Sequence, residues 1–242
     1  MTDAALIVIG NEILSGRTRD ASLPYIGRRC DELGISLLET RIVPDLEEAI
    51  VEAVNTCRAR YRHVFTTGGI GPTHDDITTR SIAAAFGVPV VRHPGAEARL
   101  REYYGDGRLN EARLRMAEIP RGAELIDNPV SGAPGFRMEN VYVMAGVPVI
   151  MKAMFESIAG RLEGGPPLLS RTVVTRHAES RLAPGLAAIQ ERFPAVSIGS
   201  YPFFRMGSMG VRVVLRGTDA TLLDQAEREV REMLGCLDRE RP

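Results

Sequence analysis

The chain has 242 residues, of which 44% are hydrophobic and 25% are charged, and this composition excludes a disordered protein. Lys and Arg total 30 against 31 Asp and Glu, so the formal net charge of -1 argues against a general nucleic-acid binder. The apolar run at 141–151 is too short to span a bilayer and the N-terminus is acidic, so we expect a cytoplasmic protein without a membrane span.

Up to about residue 160, short β-branched runs alternate with helical periodicity, which is typical of a parallel sheet covered by helices on both faces. The predicted elements begin with a strand at 5–9, a helix at 20–34, a strand at 36–43, a helix opening with a capping box at 45–48, a strand at 63–67 and a helix at 76–86. They continue with a short strand at 88–91, a polar helical stretch at 94–118, a strand at 123–126, a hairpin of 135–138 and 141–145, and a helix at 149–162.

A Gly and Pro cluster at 163–167 separates two predicted domains, 1–165 and 168–242. The second has strands at 172–176, 196–204 and 210–217 and two amphipathic helices, and this βαββα order predicts a small α+β domain. The three cysteines form no CxxC motif, and we expect Cys30 and Cys57 to be core residues rather than disulfide partners.

A glycine-rich turn at 66–78 follows the third predicted strand and leads into a helix. Its glycines let backbone N–H groups approach a ligand, and the helix N-terminus that follows favours an anion. His74 stands where a dinucleotide fingerprint has its third glycine, and the lysine of a P-loop is missing. The turn therefore predicts a different kind of phosphate cradle, and the alternative is a tight turn capped by Asp75 or Asp76.

Five polar segments fall at the carboxyl edge of the predicted sheet, where such folds bind ligands. They are 10–12, 44–45, 68–76, 128–135 and 146–148. The carboxylates of Glu12, Asp45, Asp75 and Asp76 would repel one another beside a phosphate unless a divalent cation such as Mg²⁺ joined them. A helix-capping role remains the alternative for Asp45 and for one of Asp75 and Asp76.

Other polar side chains have two interpretations each. His74 is either a metal or ligand contact or an exposed side chain. Asn110 either caps a helix or faces the crevice. Five arginines of the 94–118 stretch either close over a polyphosphate or form a solvated helix face: Arg99, Arg101, Arg108, Arg113 and Arg115.

The motifs at 10–16, 43–45, 67–76, 128–136 and 146–148, with Met151 and Lys152, resemble the competence/damage-inducible protein A (CinA-like) family. The core of that family is a molybdopterin-binding MoaB/Mog-type domain. The resemblance covers about residues 4–160 and implies a three-layer αβα fold with a mostly parallel sheet, followed by a small α+β domain. It also implies a homo-oligomer with a pocket for a phosphorylated pterin or a nucleotide.

The resemblance further implies metal-dependent cleavage of a nucleotide diphosphate such as ADP-ribose or FAD. By matching positions, Asp45 and Asp76 are the predicted catalytic residues, and Glu12 joins them as a predicted ligand of Mg²⁺ or a similar ion. The predicted phosphate-binding or ligand-binding residues are Gly68, Gly69, Gly71, Thr73, Asp75, Asn128, Ser131, Gly132 and Gly146.

Three positions depart from the family pattern. Asn11 stands where many members carry Asp, Ala145 where a loop usually begins Pro-Gly, and Ile150 where a Glu often precedes the methionine. These departures leave two alternatives to an enzyme that cleaves nucleotide diphosphates. One is a non-catalytic binding protein for molybdopterin or a nucleotide, and the other is a molybdopterin adenylyltransferase. The chain ends before the amidohydrolase domain of bifunctional relatives would begin, so we expect no deamidase activity.

Overall fold

The computed structural model describes residues 2–105, 107–205 and 208–239. The chain divides into two compact units, 1–165 and 166–242. Each unit has its own hydrophobic core.

The first unit contains one large sheet and one two-stranded ribbon. Its strands are β1 (Thr2–Ile9), β2 (Ile35–Val43), β3 (His63–Thr67), β4 (Val90–Arg92), β5 (Glu118–Pro120), β6 (Glu124–Ile126), β7 (Gly135–Met138) and β8 (Val141–Met144). Its helices are α1 (Asn11–Leu14), α2 (Ser22–Glu32), α3 (Glu47–Arg60), α4 (Thr78–Phe86), α5 (Pro94–Tyr104), α6 (Glu111–Leu114) and α7 (Pro148–Ala159), with a 3₁₀ turn at Arg115–Ala117.

The large sheet has the order β2-β1-β3-β8-β7-β6. The four strands from β2 to β8 are parallel, whereas β7 and β6 are antiparallel to their neighbours. The mostly parallel α/β architecture predicted from the sequence is therefore confirmed. The antiparallel end follows from the tight β7–β8 hairpin, where Glu139 has a φ of 51°.

Helices cover both faces of this sheet because each strand of the centre is apolar on both sides. The helices α3 and α4 bury residues such as Ile50, Val54 and Ile82 on one face. On the other face, α2 and α7 bury residues such as Ile26 and Phe155. Cys30 and Cys57 are fully buried free thiols, one on each face, as predicted.

Several local elements differ from the prediction. The four-residue helix α1 and the short strand β5 were not predicted, and β5 pairs with β4 to form the ribbon. Both elements are too short to carry a periodic signal of their own. The first predicted helix, expected from residue 20, corresponds to α2 and begins at Ser22. Asp20 lies before the helix, where its carboxylate accepts the N–H groups of Ser22 and Leu23 at 2.9 Å each.

The second unit has the predicted βαββα order, with β9 (Leu169–Thr175), α8 (Glu179–Arg192), β10 (Ser197–Arg205), β11 (Ser208–Gly217) and α9 (Ala220–Arg239). The antiparallel sheet has the order β10-β11-β9. Leu182 and Ile189 of α8 and Leu223 and Val230 of α9 pack on it. Within the described ranges, no helix is both long and apolar enough to cross a membrane.

A buried histidine lies at the start of β3. The His63 ring is 4% exposed, packs near the rings of Phe65 and Tyr142, and has Nε2 2.9 Å from the Glu163 carbonyl oxygen. Its Nδ1 is buried without a hydrogen-bond partner among the described residues. Burial lowers the pKa of His63, because a charged imidazolium would lose its hydration there.

This lowered pKa predicts a loss of stability in mild acid. The unfolded chain binds a proton at His63 near pH 6.5 while the folded chain does not, so the contribution is complete above pH 6.5 and is lost as the pH falls through the folded pKa. Between pH 7 and pH 5, we expect the free energy of unfolding to fall by about 1 kcal/mol more in the wild type than in His63→Gln. Urea titrations at both pH values measure the free energy of unfolding. Equal falls in the two proteins would show that His63 does not cause the loss of stability.

Candidate functional site

A cleft of about 510 Å³ opens at the carboxyl edge of the large sheet. It lies where β1, β3 and β8 end, and these three strands run in the same direction. The structure brings ten of the twelve predicted site residues to its wall: Glu12, Asp45, Gly68, Gly69, Gly71, Asp75, Asp76, Asn128, Ser131 and Gly146. The other two, Thr73 and Gly132, do not line the cleft.

The glycine-rich turn after β3 is held close to the neighbouring strands. The Gly68 N–H donates to the Met144 carbonyl at 3.1 Å, and the Thr78 N–H donates to the Gly69 carbonyl at 3.0 Å. Gly68 and Gly69 have φ values of 104° and 66°, which favour glycine. A Cβ on Gly68 would lie 2.1 Å from the Ile9 carbonyl oxygen, so the backbone itself fills this space.

The turn also presents backbone donors beside the cleft. Within the described residues, the N–H groups of Gly69, Ile70 and Gly71 donate to no protein acceptor. All three residues line the cleft. Consecutive N–H groups without internal partners are the donors that bind phosphate in glycine-rich turns.

The Asp45 carboxylate ties two loops together. Its Oδ2 accepts the N–H of Asn11 at 2.8 Å, and this bond joins the loop after β2 to the start of α1. The helix α3 begins at Glu47, and no side chain caps it. The predicted capping role of Asp45 is therefore wrong, because Asn11, which is distant in sequence, supplies the N–H donor instead.

The Asp76 carboxylate shapes the glycine-rich turn from within. Its Oδ2 accepts the Thr73 N–H at 2.8 Å and also the Thr73 hydroxyl. The carboxylate lies so near Gly71 that a Cβ there would be 2.6 Å from Oδ2. No side chain caps α4, so the predicted cap from Asp75 or Asp76 is also wrong.

The carboxylates predicted to bind a metal ion do not form a complete set of ligands. Across the described part of the chain, no three His, Cys, Asp or Glu side chains converge as ligands of one ion. The cleft wall instead combines Asp45 and Asp76 with Gly69, Ile70 and Gly71, whose backbone N–H groups have no acceptor among the described residues. This donor set fits Mg²⁺ that arrives with a substrate phosphate, since Mg²⁺ in such sites takes one or two carboxylates and completes its shell with phosphate and water.

The loop between β6 and β7 forms a further wall of the cleft. Asn128 is 7% exposed, and its amide donates to the Ser131 hydroxyl at 2.6 Å and to the Ala133 carbonyl at 2.7 Å. Its Oδ1 accepts the Val130 and Ser131 N–H groups at 3.1 and 3.2 Å. Asn128 therefore fixes the loop conformation, and Ser131 lines the cleft beside it.

Other candidates have clear positions. His74 has a side chain that is 96% exposed and does not line the cleft. The Asn110 Oδ1 accepts the Arg113 N–H at 2.9 Å and so caps α6. Thr18 and Met116 line the cleft although the sequence did not single them out. Thr18 lies in the loop after the unpredicted helix α1, and Met116 has no local signal because tertiary packing brings it there.

Comparisons with known proteins give two family matches. Residues 5–164 match the family described as a probable molybdopterin binding domain, and residues 167–237 match the middle domain of FAD synthase. A protein of Aeropyrum pernix is 36% identical over 98% of this chain and 97% of its own length. A CinA-like protein of Salinibacter ruber is 34% identical over 96% of this chain, which spans 60% of that relative.

A solved structure is also similar. The protein CinA from Thermoplasma acidophilum, described as having unknown function, aligns with a TM-score of 0.62 and 32% identity. The alignment covers 66% of this chain and 97% of that structure.

Proposed function

The chain belongs to the family of probable molybdopterin binding domains, with CinA-like proteins among its relatives, and on this premise we propose that its cleft binds a phosphorylated pterin or nucleotide and hydrolyses a nucleotide diphosphate. The observation that carries the proposal is the meeting of unpartnered backbone donors and carboxylates in one cleft. Gly69, Ile70 and Gly71 supply the donors, and Asp45 and Asp76 supply the carboxylates.

The donors of the glycine-rich turn bind the phosphate oxygens and stabilise the negative charge that develops during cleavage. Because the turn is fixed by its bonds to Met144 and Thr78, these donors need little rearrangement when the substrate arrives. Asp45 and Asp76 are the residues that would hold a divalent cation beside the substrate phosphate, where it would supply Lewis-acid polarisation of the phosphoryl oxygens.

The second unit supports a nucleotide as the substrate. Its similarity to the middle domain of FAD synthase makes FAD a natural substrate to test beside ADP-ribose. Both molecules contain a diphosphate bridge between two organic halves. The proposed reaction adds water across the bridge and releases AMP together with FMN or ribose 5-phosphate.

Purified protein with Mg²⁺, Mn²⁺ or Co²⁺ is expected to release AMP from ADP-ribose or FAD, measured by chromatography. EDTA is expected to abolish the release, because the two carboxylates alone leave the phosphate charge uncompensated. Restoring the cation after EDTA serves as the control. If both dinucleotides stay intact with all three metals, the hydrolase proposal is wrong.

A second candidate is a binding protein for the same ligands that performs no chemistry. It is favoured by the absence, among the described residues, of three converging metal ligands and by Asn11 and Ile150, which depart from the acidic residues that the family resemblance implies there. Mass spectrometry of the protein as purified distinguishes it. A retained pterin or nucleotide, without turnover of either dinucleotide, would favour binding over hydrolysis.

A further inference from the structure

A second cavity, of about 760 Å³, adjoins the cleft. The helix α5 contributes Arg99, Glu102 and Tyr103 to it, and the loop after β6 contributes Asp127 and Gly132. Asn128 lines both the cavity and the cleft, so one loop forms a wall of each. The volume lies within the range of sites for small organic ligands.

The Tyr103 ring is held in place although it is 47% exposed. Its hydroxyl donates to the Val130 carbonyl at 3.1 Å. The ring packs on Gly132, where a Cβ would lie 2.5 Å from the Tyr103 Cβ, and meets Tyr104 edge to face with 5.0 Å between centroids. A ring already fixed in this way loses little conformational entropy when a flat ligand stacks on it.

Polar groups surround the ring. The Arg99 guanidinium pairs with the Asp127 carboxylate at 2.6 Å, and both groups remain partly exposed in the cavity wall. An arginine has five N–H donors, so this pair leaves donors for a ligand. The Asp127 and Glu102 carboxylates are acceptors suited to the hydroxyl groups of a ribose or ribityl chain.

From this arrangement we infer that the second cavity binds one heteroaromatic half of the dinucleotide, stacked on Tyr103, while the diphosphate occupies the cleft. The inference rests on the proposed function. It assigns Tyr103 as a residue that selects dinucleotides over ligands with a diphosphate alone. Gly132 was predicted to bind the ligand in the cleft. It instead packs against Tyr103 and lines the second cavity.

The test measures binding by calorimetry in Mg²⁺ with ligands that cannot be hydrolysed. One ligand is ADP-ribose with a methylene group in place of the bridging oxygen, and the other is methylenediphosphonate, which has no aromatic half. Tyr103→Ala is expected to raise the Kd for the ADP-ribose analogue about tenfold and to leave the Kd for methylenediphosphonate unchanged. Tyr103→Phe keeps the ring but loses the hydroxyl bond to the Val130 carbonyl, so it is expected to raise the Kd for the ADP-ribose analogue by less than Tyr103→Ala does and to leave the Kd for methylenediphosphonate unchanged.

The possible results separate this inference from the proposed function. Equal Kd values for the ADP-ribose analogue in wild type and Tyr103→Ala would overturn the second subsite while leaving the cleft as a binding site. A matched loss for both ligands would also overturn it, because the tyrosine would then act only by supporting the loop. If the wild type binds neither ligand, the proposed function fails and the inference fails with it.

Discussion

Asp76→Asn is expected to reduce kcat/KM for ADP-ribose by about 100-fold or more. The amide oxygen of asparagine can still accept the Thr73 N–H, which Asp76 Oδ2 accepts at 2.8 Å, so the turn keeps its shape. What disappears is the negative charge that we propose to hold a cation beside the substrate phosphate. Release of AMP at several substrate concentrations separates kcat from KM.

Asp3→Asn is the matched control for this change. Asp3 lies near the amino end of β1, where its Oδ1 accepts the Arg62 N–H at 2.8 Å, whereas the cleft lies at the carboxyl end of the same strand. This variant should hydrolyse ADP-ribose as the wild type does. An Asp76→Asn protein with unchanged kcat/KM would remove Asp76 from the proposed mechanism.

Gly68→Ala is expected to lower the free energy of unfolding by about 3 kcal/mol. Gly68 has a φ of 104°, and the new Cβ would lie 2.1 Å from the Ile9 carbonyl oxygen. The steric clash cannot be relieved by moving a side chain, because the contact is with the backbone at the end of β1. Urea denaturation followed by circular dichroism measures the change, and calorimetry with methylenediphosphonate tests whether phosphate binding is lost with it.

Gly87→Ala provides the comparison. Gly87 ends α4 with a φ of 65°, but a Cβ there would have no neighbour within 4 Å. The substitution therefore costs only the left-handed conformation, about 1 kcal/mol. If the two variants lose equal stability, the close approach of Gly68 to β1 does not contribute to the stability of the fold.

The elements that the sequence predicted well carry their signal in consecutive side chains. The apolar run at 5–9 belongs to a strand buried on both faces. Of the apolar stripe predicted for α3, Ile50, Val54 and Cys57 face the core, whereas Leu46 precedes the helix and is exposed. Gly87 follows the predicted helix end and adopts the left-handed conformation that a glycine there permits. Such features depend on local periodicity and local backbone preference, so a single sequence contains the information for them.

The roles of the acidic residues show where local reasoning failed. Asp45 and Asp76 each precede a helix, and a capping role follows from that position alone. Yet Asp45 binds the Asn11 N–H and Asp76 binds Thr73, and neither caps the helix that follows it. The Asp45 donor lies 34 residues away in sequence, and the Asp76 donor lies three residues before it rather than in the helix that follows, so a position before a helix did not identify either partner.

The amino-acid order alone determined the α/β class, the mostly parallel sheet, the βαββα tail and the loops that would meet at one edge, because periodicity and breaker residues are local properties. Only the tertiary structure decided which groups meet there. It placed Met116 in the cleft wall and fixed Tyr103 on Gly132 beside a second cavity. These contacts join segments far apart in the chain, and their geometry depends on how helices and loops pack against the sheet.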